Sequence, residues 1–169
     1  MNPTVTLYAG HAPLGVIDQR LFALLTDHEQ AAQWVITPVP QHGENAVIIQ
    51  SPDRSTGILL PDQQLGTQVA VRPLIAGHSY PPIYPPNEVW TATTLTGQVA
   101  PELAPGTAAF TLHPHSAGPG QYIGRRRVEE LSMLPKRIVL LADGTEPTPF
   151  IAVPNRPGDA EPRGENVDG

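Results

Sequence analysis

Proline and glycine recur every few residues over most of this chain and leave little room for helices. The 169 residues include 21 prolines and 15 glycines. Proline breaks a helix interior, and both residues typically mark turns between short extended segments. The chain is therefore predicted to be all-β, with a helical turn or two expected only around residues 27–33 and 127–131.

Twelve short runs rich in β-branched and aromatic residues are predicted to be strands. They are 5–9, 15–18, 21–25, 33–37, 46–50, 57–60, 68–74, 89–93, 110–113, 121–125, 137–141 and 150–153. They fall into three sets of four, which indicates an internal repeat. The last strand of each set has a bulky aromatic residue near its start, in QWVITP, EVWTAT and PFIAVP.

Three four-stranded units predict a β-trefoil, in which a closed six-stranded barrel is capped by three hairpins. A two-sheet sandwich is the alternative, because strand number alone does not separate the two folds. The length fits one domain, assigned to residues 1–155. Residues 156–169 are polar and contain several Gly and Pro residues, so they are expected to form a flexible tail.

Charge is distributed unevenly along the chain. The formal net charge is −6, with 10 Lys and Arg against 16 Asp and Glu, which argues against nucleic acid as a partner. Half of the basic residues nevertheless lie within 121–141, which makes this segment the first candidate for a partner-binding surface. These residues are Arg125, Arg126, Arg127, Lys136 and Arg137.

The sequence lacks several kinds of site and targeting signal. The absence of cysteine excludes disulfides and zinc–thiolate sites. The N-terminus does not resemble a signal peptide, and no segment approaches the roughly 20 apolar residues that cross a bilayer. We therefore expect a cytoplasmic protein with no membrane partner.

No catalytic residue, cofactor or metal site is predicted. His113 and His115 would share one face of a strand, but no Asp, Glu or third His is close to them in sequence. The serines lack the G-x-S-x-G pattern of a hydrolase nucleophile, and no phosphate-binding glycine motif is present. The chain is not predicted to be an enzyme.

Four stretches resemble the mushroom serine protease inhibitor family of cospin-like proteins. They are LYAGHAPLGVIDQRLFALL at 7–25, QWVI at 33–36, LLPDQQLGTQVAVRPLIAGHSYPPIYPPNEVW at 59–90 and QYIGRRRVEELSMLPKRIVLL at 121–141. The resemblance implies a β-trefoil without a signal peptide that inhibits trypsin-, chymotrypsin- or subtilisin-like serine proteases.

The order of these stretches differs from that of the family. The segment that resembles YIGR…LSMLPKR lies near the N-terminus of family members, whereas here it follows PPNEVW. We interpret this as a circular permutation, in which 107–154 correspond to the family's first third and 4–94 to the remainder. Residues 95–106 would then link the family's original termini. A closed trefoil tolerates this change because its first and last strands are neighbours.

An inhibitor of this kind offers the protease a rigid, substrate-like loop, and a side chain at the loop's tip fills the S1 pocket. The first candidate is the loop at 126–136. Family members often have EDRSLLPKR where this chain has EELSMLPKR, so Leu131 replaces the basic residue suited to trypsin. Leu131 or Met133 favours a protease with an apolar pocket, and Arg127 is the alternative for trypsin. The candidate contacts are Arg127, Glu129, Glu130, Leu131, Ser132 and Met133.

The second candidate loop is GHSYPPIYPP at 77–86, with His78, Ser79 and Tyr80 as its contact residues. Prolines stiffen this loop, and Tyr80 suits an apolar pocket. Structural explanations stay open for both loops. Arg125–Arg127 would suit a solvated hairpin turn, Leu131, Met133 and Leu134 would suit packing against the cap, and the prolines would serve only to shape a loop.

Two other function classes are weighed against the inhibitor. A carbohydrate-binding trefoil would have a shallow pocket in each lobe, lined by an aromatic residue together with Asp, Asn and Gln. Only Trp34 and Trp90 are available for such pockets, and the repeated Q-x-W pattern of ricin-like lectins is missing. A structural or assembly protein would form stable oligomers. The inhibitor is expected to be a monomer.

Overall fold

Thirteen β-strands and three 3-10 helices make up the regular structure of the described part of the chain. The computed structural model describes residues 4–94, 109–125, 133–142 and 148–155. The strands are β1 Thr4–Ala9, β2 Ala12–Ile17, β3 Arg20–Ala23, β4 Trp34–Pro38, β5 Ala46–Gln50, β6 Gly57–Leu59, β7 Ala70–Arg72, β8 Trp90–Thr94, β9 Phe110–Pro114, β10 Ile123–Gly124, β11 Lys136–Arg137, β12 Val139–Leu140 and β13 Phe150–Pro154. The 3-10 helices are His28–Gln30, Pro40–His42 and Pro86–Glu88. The predicted linker and tail lie outside the described residues.

Six strands close into an antiparallel barrel. In order around the ring, β1 pairs with β4, β4 with β5, β5 with β8, β8 with β9, β9 with β13, and β13 with β1. The closing pair runs from Val5 opposite Pro154 to Ala9 opposite Phe150. Each of the six strands therefore has a partner on both sides, and none is left as a sheet edge.

Three hairpins form the cap of this barrel. They pair β2 with β3, β6 with β7, and β10 with β12. Strand β3 also pairs with β7 and with β11, so the hairpins of the three lobes are joined to one another. A closed six-stranded barrel with three joined hairpins is a β-trefoil, as predicted, and it excludes the two-sheet sandwich.

Each predicted strand has a counterpart in the structure, but β2 begins at Ala12 instead of 15 and the third lobe differs further. The run predicted at 137–141 is divided into β11 and β12, which flank Ile138. Strand β11 pairs with β3, whereas β12 pairs with β10. At the division, Ile138 N–H donates to Leu21 O at 3.2 Å and Ile138 O accepts from Val69 N–H at 2.8 Å. This residue thus bonds to both other lobes, and that change of partner interrupts the strand.

The observed 3-10 helices agree only in part with the helical turns that the sequence predicts. The 3-10 helix His28–Gln30 lies where helix was expected around 27–33, whereas 127–131 lie outside the described residues. The other two 3-10 helices were not predicted. Both have a proline in the first turn, where its missing N–H needs no partner. No helix among the described residues has the length and apolar character that a membrane span requires.

The aromatic residues that recur in the closing strands fill the core. Trp34, Trp90 and Phe150 are fully buried, one from each lobe, and Phe110 packs beside Phe150. Trp90 Nε1 donates to Ile58 O at 3.3 Å, whereas Trp34 Nε1 has no hydrogen-bond partner among the described residues. The repeated aromatic pattern is therefore a packing feature, and neither indole is exposed to stack on a sugar.

Candidate functional site

The first candidate loop is described only at its C-terminal end. Residues 126–132 lie outside the described residues, and with them Arg127, Glu129, Glu130, Leu131 and Ser132. Met133 and Leu134 are each 61% exposed, so the alternative explanation that these two residues pack against the cap is wrong. This end of the loop is accessible to a partner.

The three described basic residues around this loop, Arg125, Lys136 and Arg137, differ in exposure. Lys136 is only 4% exposed because it lies in β11, where it pairs with Ala23 of β3. Arg137, the next residue, is exposed, and Arg125 is half-buried with its backbone N–H donated to Thr148 Oγ1 at 2.9 Å. The prediction that Lys136 belongs to an exposed basic cluster is therefore wrong.

The second candidate lies in the connection between β7 and β8, residues 73–89, which we call the Tyr80 loop. Its tip, His78–Pro81, is exposed, and the Tyr80 side chain is 97% exposed. The peptide bond between Tyr80 and Pro81 is cis. His78 is the only titratable or charged side chain among residues 73–79, and residues 81–83 are apolar. The tip thus offers a protruding aromatic ring in a nearly uncharged setting.

Hydrogen bonds within the Tyr80 loop connect its two sides. Gly77 N–H donates to Ile83 O at 2.8 Å, which closes the loop below the tip. At the tip, Ser79 Oγ donates to Pro81 O at 3.1 Å. The backbone on the two sides of Tyr80 is therefore held at a defined separation.

Two side chains from the connection between β4 and β5 contact the loop on its C-terminal side. Gln41 Nε2 donates to Pro82 O at 2.8 Å. Tyr84 N–H donates to His42 Nε2 at 3.0 Å, and the His42 and Tyr84 rings lie 6.1 Å apart. Below them, Leu74 and Tyr84 pack on a small apolar cluster that consists of Val39, Ala46, Ile48 and Val89.

A buried carboxyl group holds the N-terminal side of the loop. Glu88 is 2% exposed, and its Oε2 accepts a hydrogen bond of 2.7 Å from Ile75 N–H. Burial raises the pKa of Glu88 above its usual range, and the hydrogen bond from Ile75 opposes this shift. The other carboxyl oxygen has no partner within the described part of the chain. Glu88 thus links the start of the loop to its own end, whereas Gln41 and His42 attach the loop to the connection between β4 and β5.

Sequence reasoning missed these supporting residues. Gln41 and His42 lie 41 and 42 positions before their partners and belong to no motif. Glu88 had a weak signal, because it is a single acidic residue between the prolines and the apolar closing strand. A charged residue in such a place is usually paired or hydrogen-bonded when buried.

The histidine pair has structural partners. His113 Nδ1 lies 2.6 Å from Gln121 O, and His115 Nε2 lies 2.8 Å from Thr91 Oγ1. Burial lowers the pKa of His115, with further contributions from His113 and His42. The described residues contain no group of three or more His, Cys, Asp or Glu side chains that could hold a metal ion.

An open groove of about 480 Å³ lies beside His115. It is lined by polar side chains, two prolines and one leucine, with no Trp, Tyr or Phe among its eight residues: Leu60, Pro61, Asp62, Gln63, Pro86, Asn87, His115 and Ser116. Sugar-binding sites usually combine such polar groups with an exposed aromatic ring, which this groove does not provide.

Comparison with known proteins identifies relatives. A serine protease inhibitor from Lentinula edodes is 44% identical over 79 residues, which are 47% of this chain and 54% of that protein. The chain thus spans about half the length of this relative. A proteinase inhibitor structure from Coprinopsis cinerea is 39% identical and covers 53% of this chain and 62% of its own, with a TM-score of 0.47.

The fold is also similar to that of a solved structure with low sequence identity. The designed threefold-symmetric protein ThreeFoil covers 89% of this chain and 97% of its own at 14% identity, with a TM-score of 0.59. The family model of peptidase inhibitor I66 matches residues 1–94, more than half of the chain. These residues include the Tyr80 loop together with Gln41 and His42. In agreement with the resemblance inferred from its sequence motifs, the chain belongs to the peptidase inhibitor I66 family.

Proposed function

We propose that this protein inhibits serine proteases by placing an exposed, rigid loop in the protease active site. Membership of a peptidase inhibitor family and the name of the Lentinula relative support the partner class. The observation that carries the mode of binding is the Tyr80 loop, whose tip is exposed while hydrogen bonds from Glu88, Gln41 and His42 hold the backbone on its two sides. A loop held in this way loses little conformational freedom when a protease binds it.

Two loops compete for this role. In the 126–136 loop, Leu131 or Met133 would enter an apolar S1 pocket, or Arg127 an acidic one. In the Tyr80 loop, Tyr80 would enter an apolar pocket, and the bond after it precedes Pro81, a position at which serine proteases hydrolyse peptides poorly. An inhibitor needs such a bond because it must stay intact in the active site.

The test is a titration of trypsin, chymotrypsin and subtilisin with the wild-type protein, Leu131→Arg and Tyr80→Ala. We expect stoichiometric inhibition of at least one protease with an apolar pocket. Loss of that inhibition in Tyr80→Ala would assign it to the Tyr80 loop, whereas a shift toward trypsin in Leu131→Arg would assign it to the other loop. Failure of the wild-type protein to inhibit any of the three would contradict the proposal.

The permuted order is also proposed, and the barrel ends support it. Asn155 N–H donates to Thr4 O at 2.8 Å, so the two ends of the described barrel are adjacent. The family match ends at residue 94, next to the predicted linker. A variant that places residues 109–155 before 4–94 should fold with a similar circular dichroism spectrum and unfolding midpoint. An unfolded product would argue against the permutation.

The remaining features of the proposal concern the state of the protein. We propose that it acts as a monomer, since one exposed loop is enough to fill one protease active site, and that it is cytoplasmic. Light scattering at the concentrations of the inhibition assay tests the first point, because a stable oligomer would contradict it. Microscopy of a fluorescent fusion tests the second.

A further inference from the structure

We propose that Gln41 and His42 are positioning residues for inhibition, which hold the Tyr80 loop in its binding shape without touching the protease pocket. This inference rests on the proposed function and assigns the inhibitory role to the Tyr80 loop. It also assigns a role to two residues that lie outside both candidate loops.

Gln41 and His42 both bind the backbone of the Tyr80 loop just after its tip. Gln41 binds the carbonyl of Pro82, and His42 binds the N–H of Tyr84. These two backbone groups lie close to the tip on its C-terminal side, whereas the Glu88 side chain binds Ile75 N–H on the opposite side. The other bonds from the C-terminal side to the rest of the protein lie farther from the tip, where Leu60 N–H donates to Asn87 O and His115 N–H donates to Val89 O, both at 2.9 Å.

Gln41 and His42 lie on a short element whose backbone is itself held in place. They lie in the 3-10 helix Pro40–His42, whose proline restricts the backbone at its first position. Val39 N–H donates to Ala46 O at 2.8 Å, and Gly43 N–H donates to Pro40 O at 3.0 Å. Gly43 ends the helix with φ of 125°, a conformation that favours glycine. A side chain on a rigid element can hold a loop, whereas one on a mobile element would move with it.

Gln41 and His42 take opposite roles in their hydrogen bonds to the loop. Gln41 acts as a donor, and glutamate in its place would offer only acceptor oxygens to the Pro82 carbonyl. His42 acts as an acceptor through Nε2, a role that the amide oxygen of glutamine can also fill at a similar distance from the backbone. The pair therefore allows substitutions that change one hydrogen bond while nearly preserving the shape of the side chain.

The experiment compares Gln41→Glu, His42→Ala and His42→Gln with the wild-type protein. Each of the first two should weaken inhibition of the apolar-pocket protease about 3- to 10-fold, the value of one hydrogen bond. His42→Gln should retain most of the inhibition. Gln30→Glu and His11→Ala are matched controls, because both residues are exposed and remote in sequence from the loop. Thermal midpoints should fall by no more than about 4 °C in all five variants, the effect of one hydrogen bond of about 1 kcal/mol in a domain of this size.

Amide hydrogen exchange gives a second readout that does not depend on inhibition. Loss of either support should speed exchange at Gly77 and Tyr84, while amides of the barrel strands keep their protection. Faster exchange together with weaker inhibition would support the inference. Unchanged exchange would overturn it, because the loop would then not depend on these residues.

The outcomes separate this inference from the proposed function. Full inhibition by Gln41→Glu and His42→Ala would overturn the inference and leave the proposed function intact, with the inhibitory loop still assigned by Tyr80→Ala and Leu131→Arg. Absence of inhibition by the wild-type protein would contradict the proposed function and, with it, the inhibitory role of the two residues. A fall in thermal midpoint of more than about 4 °C, or a loss of protection in the barrel strands, would overturn the inference by making the two residues general stabilisers of the fold.

Discussion

Trp90→Phe is expected to destabilise the protein more than Trp34→Phe, although the two residues begin equivalent strands of successive lobes. Both indoles are fully buried, so each substitution removes the same volume from the core, and the cost of the smaller ring largely cancels in the comparison. The two sites differ in one interaction. Trp90 Nε1 donates to Ile58 O, and Trp34 Nε1 has no partner among the described residues.

The difference in free energy of unfolding between the two variants can be worked out from the two indole N–H groups. Loss of the Trp90 hydrogen bond should lower the free energy of unfolding by about 1 kcal/mol. At Trp34, the substitution removes a buried N–H that has no partner among the described residues. This should raise the free energy of unfolding by about 1 kcal/mol or more, the lower end of the desolvation cost of that group. The gap between the variants is therefore about 2 kcal/mol, which corresponds to roughly 4 to 8 °C in thermal midpoint for a domain of this size.

The assay is urea unfolding followed by far-ultraviolet circular dichroism, because tryptophan fluorescence would report a different site in each variant. Linear extrapolation then gives the free energy of unfolding for each protein. Phe150, which begins the corresponding strand of the third lobe, indicates that phenylalanine fits this position of the fold. Equal costs, or a larger cost at Trp34, would refute the reasoning, since the Trp34 N–H would then have to be satisfied.

Two further predictions concern backbone packing and pH. Gly57→Ala should lower the free energy of unfolding by roughly 1 to 3 kcal/mol, because its Cβ would meet Ile49 O at 2.9 Å, whereas Gly118→Ala, with no contact closer than 3.6 Å, should be nearly neutral in the same urea assay. The lowered pKa of His115 means that the unfolded chain binds its proton more readily than the folded one, so this residue's contribution to stability is present above about pH 6.5 and is lost as the pH falls toward the lowered folded value. His115→Gln should therefore reduce the fall in unfolding midpoint between pH 7.5 and pH 5, and an unchanged pH profile would contradict this assignment.

The fold could be predicted well because its signals are local. Short β-rich runs bounded by Pro and Gly mark the strands, and the aromatic residue at the start of each closing strand marks the repeat. These local signals did not predict the division between β11 and β12, because it depends on hydrogen bonds from Ile138 to the other two lobes. Nor could it predict the burial of Lys136, which follows from pairing with a strand more than a hundred residues away.

The candidate site was predicted less completely. The exposed tip at His78, Ser79 and Tyr80 was recognisable from its prolines and its aromatic residue. Its attachments were not, because Gln41, His42 and Glu88 act through single hydrogen bonds to backbone groups, which carry no sequence signature. Most of the 126–136 loop lies outside the described residues, so its role stays a prediction from the family resemblance.

Closure of the barrel by β1 and β13 determines when the chain can complete its fold during synthesis. Strand β1 leaves the ribosome early and can pair with β4 once the first lobe has emerged. Its other side stays unpaired until β13 appears, nearly the whole described chain later, which at roughly 5 to 20 residues per second is a delay of many seconds. Throughout that interval the nascent chain exposes a strand edge, and chaperone binding to β1 would be most useful then.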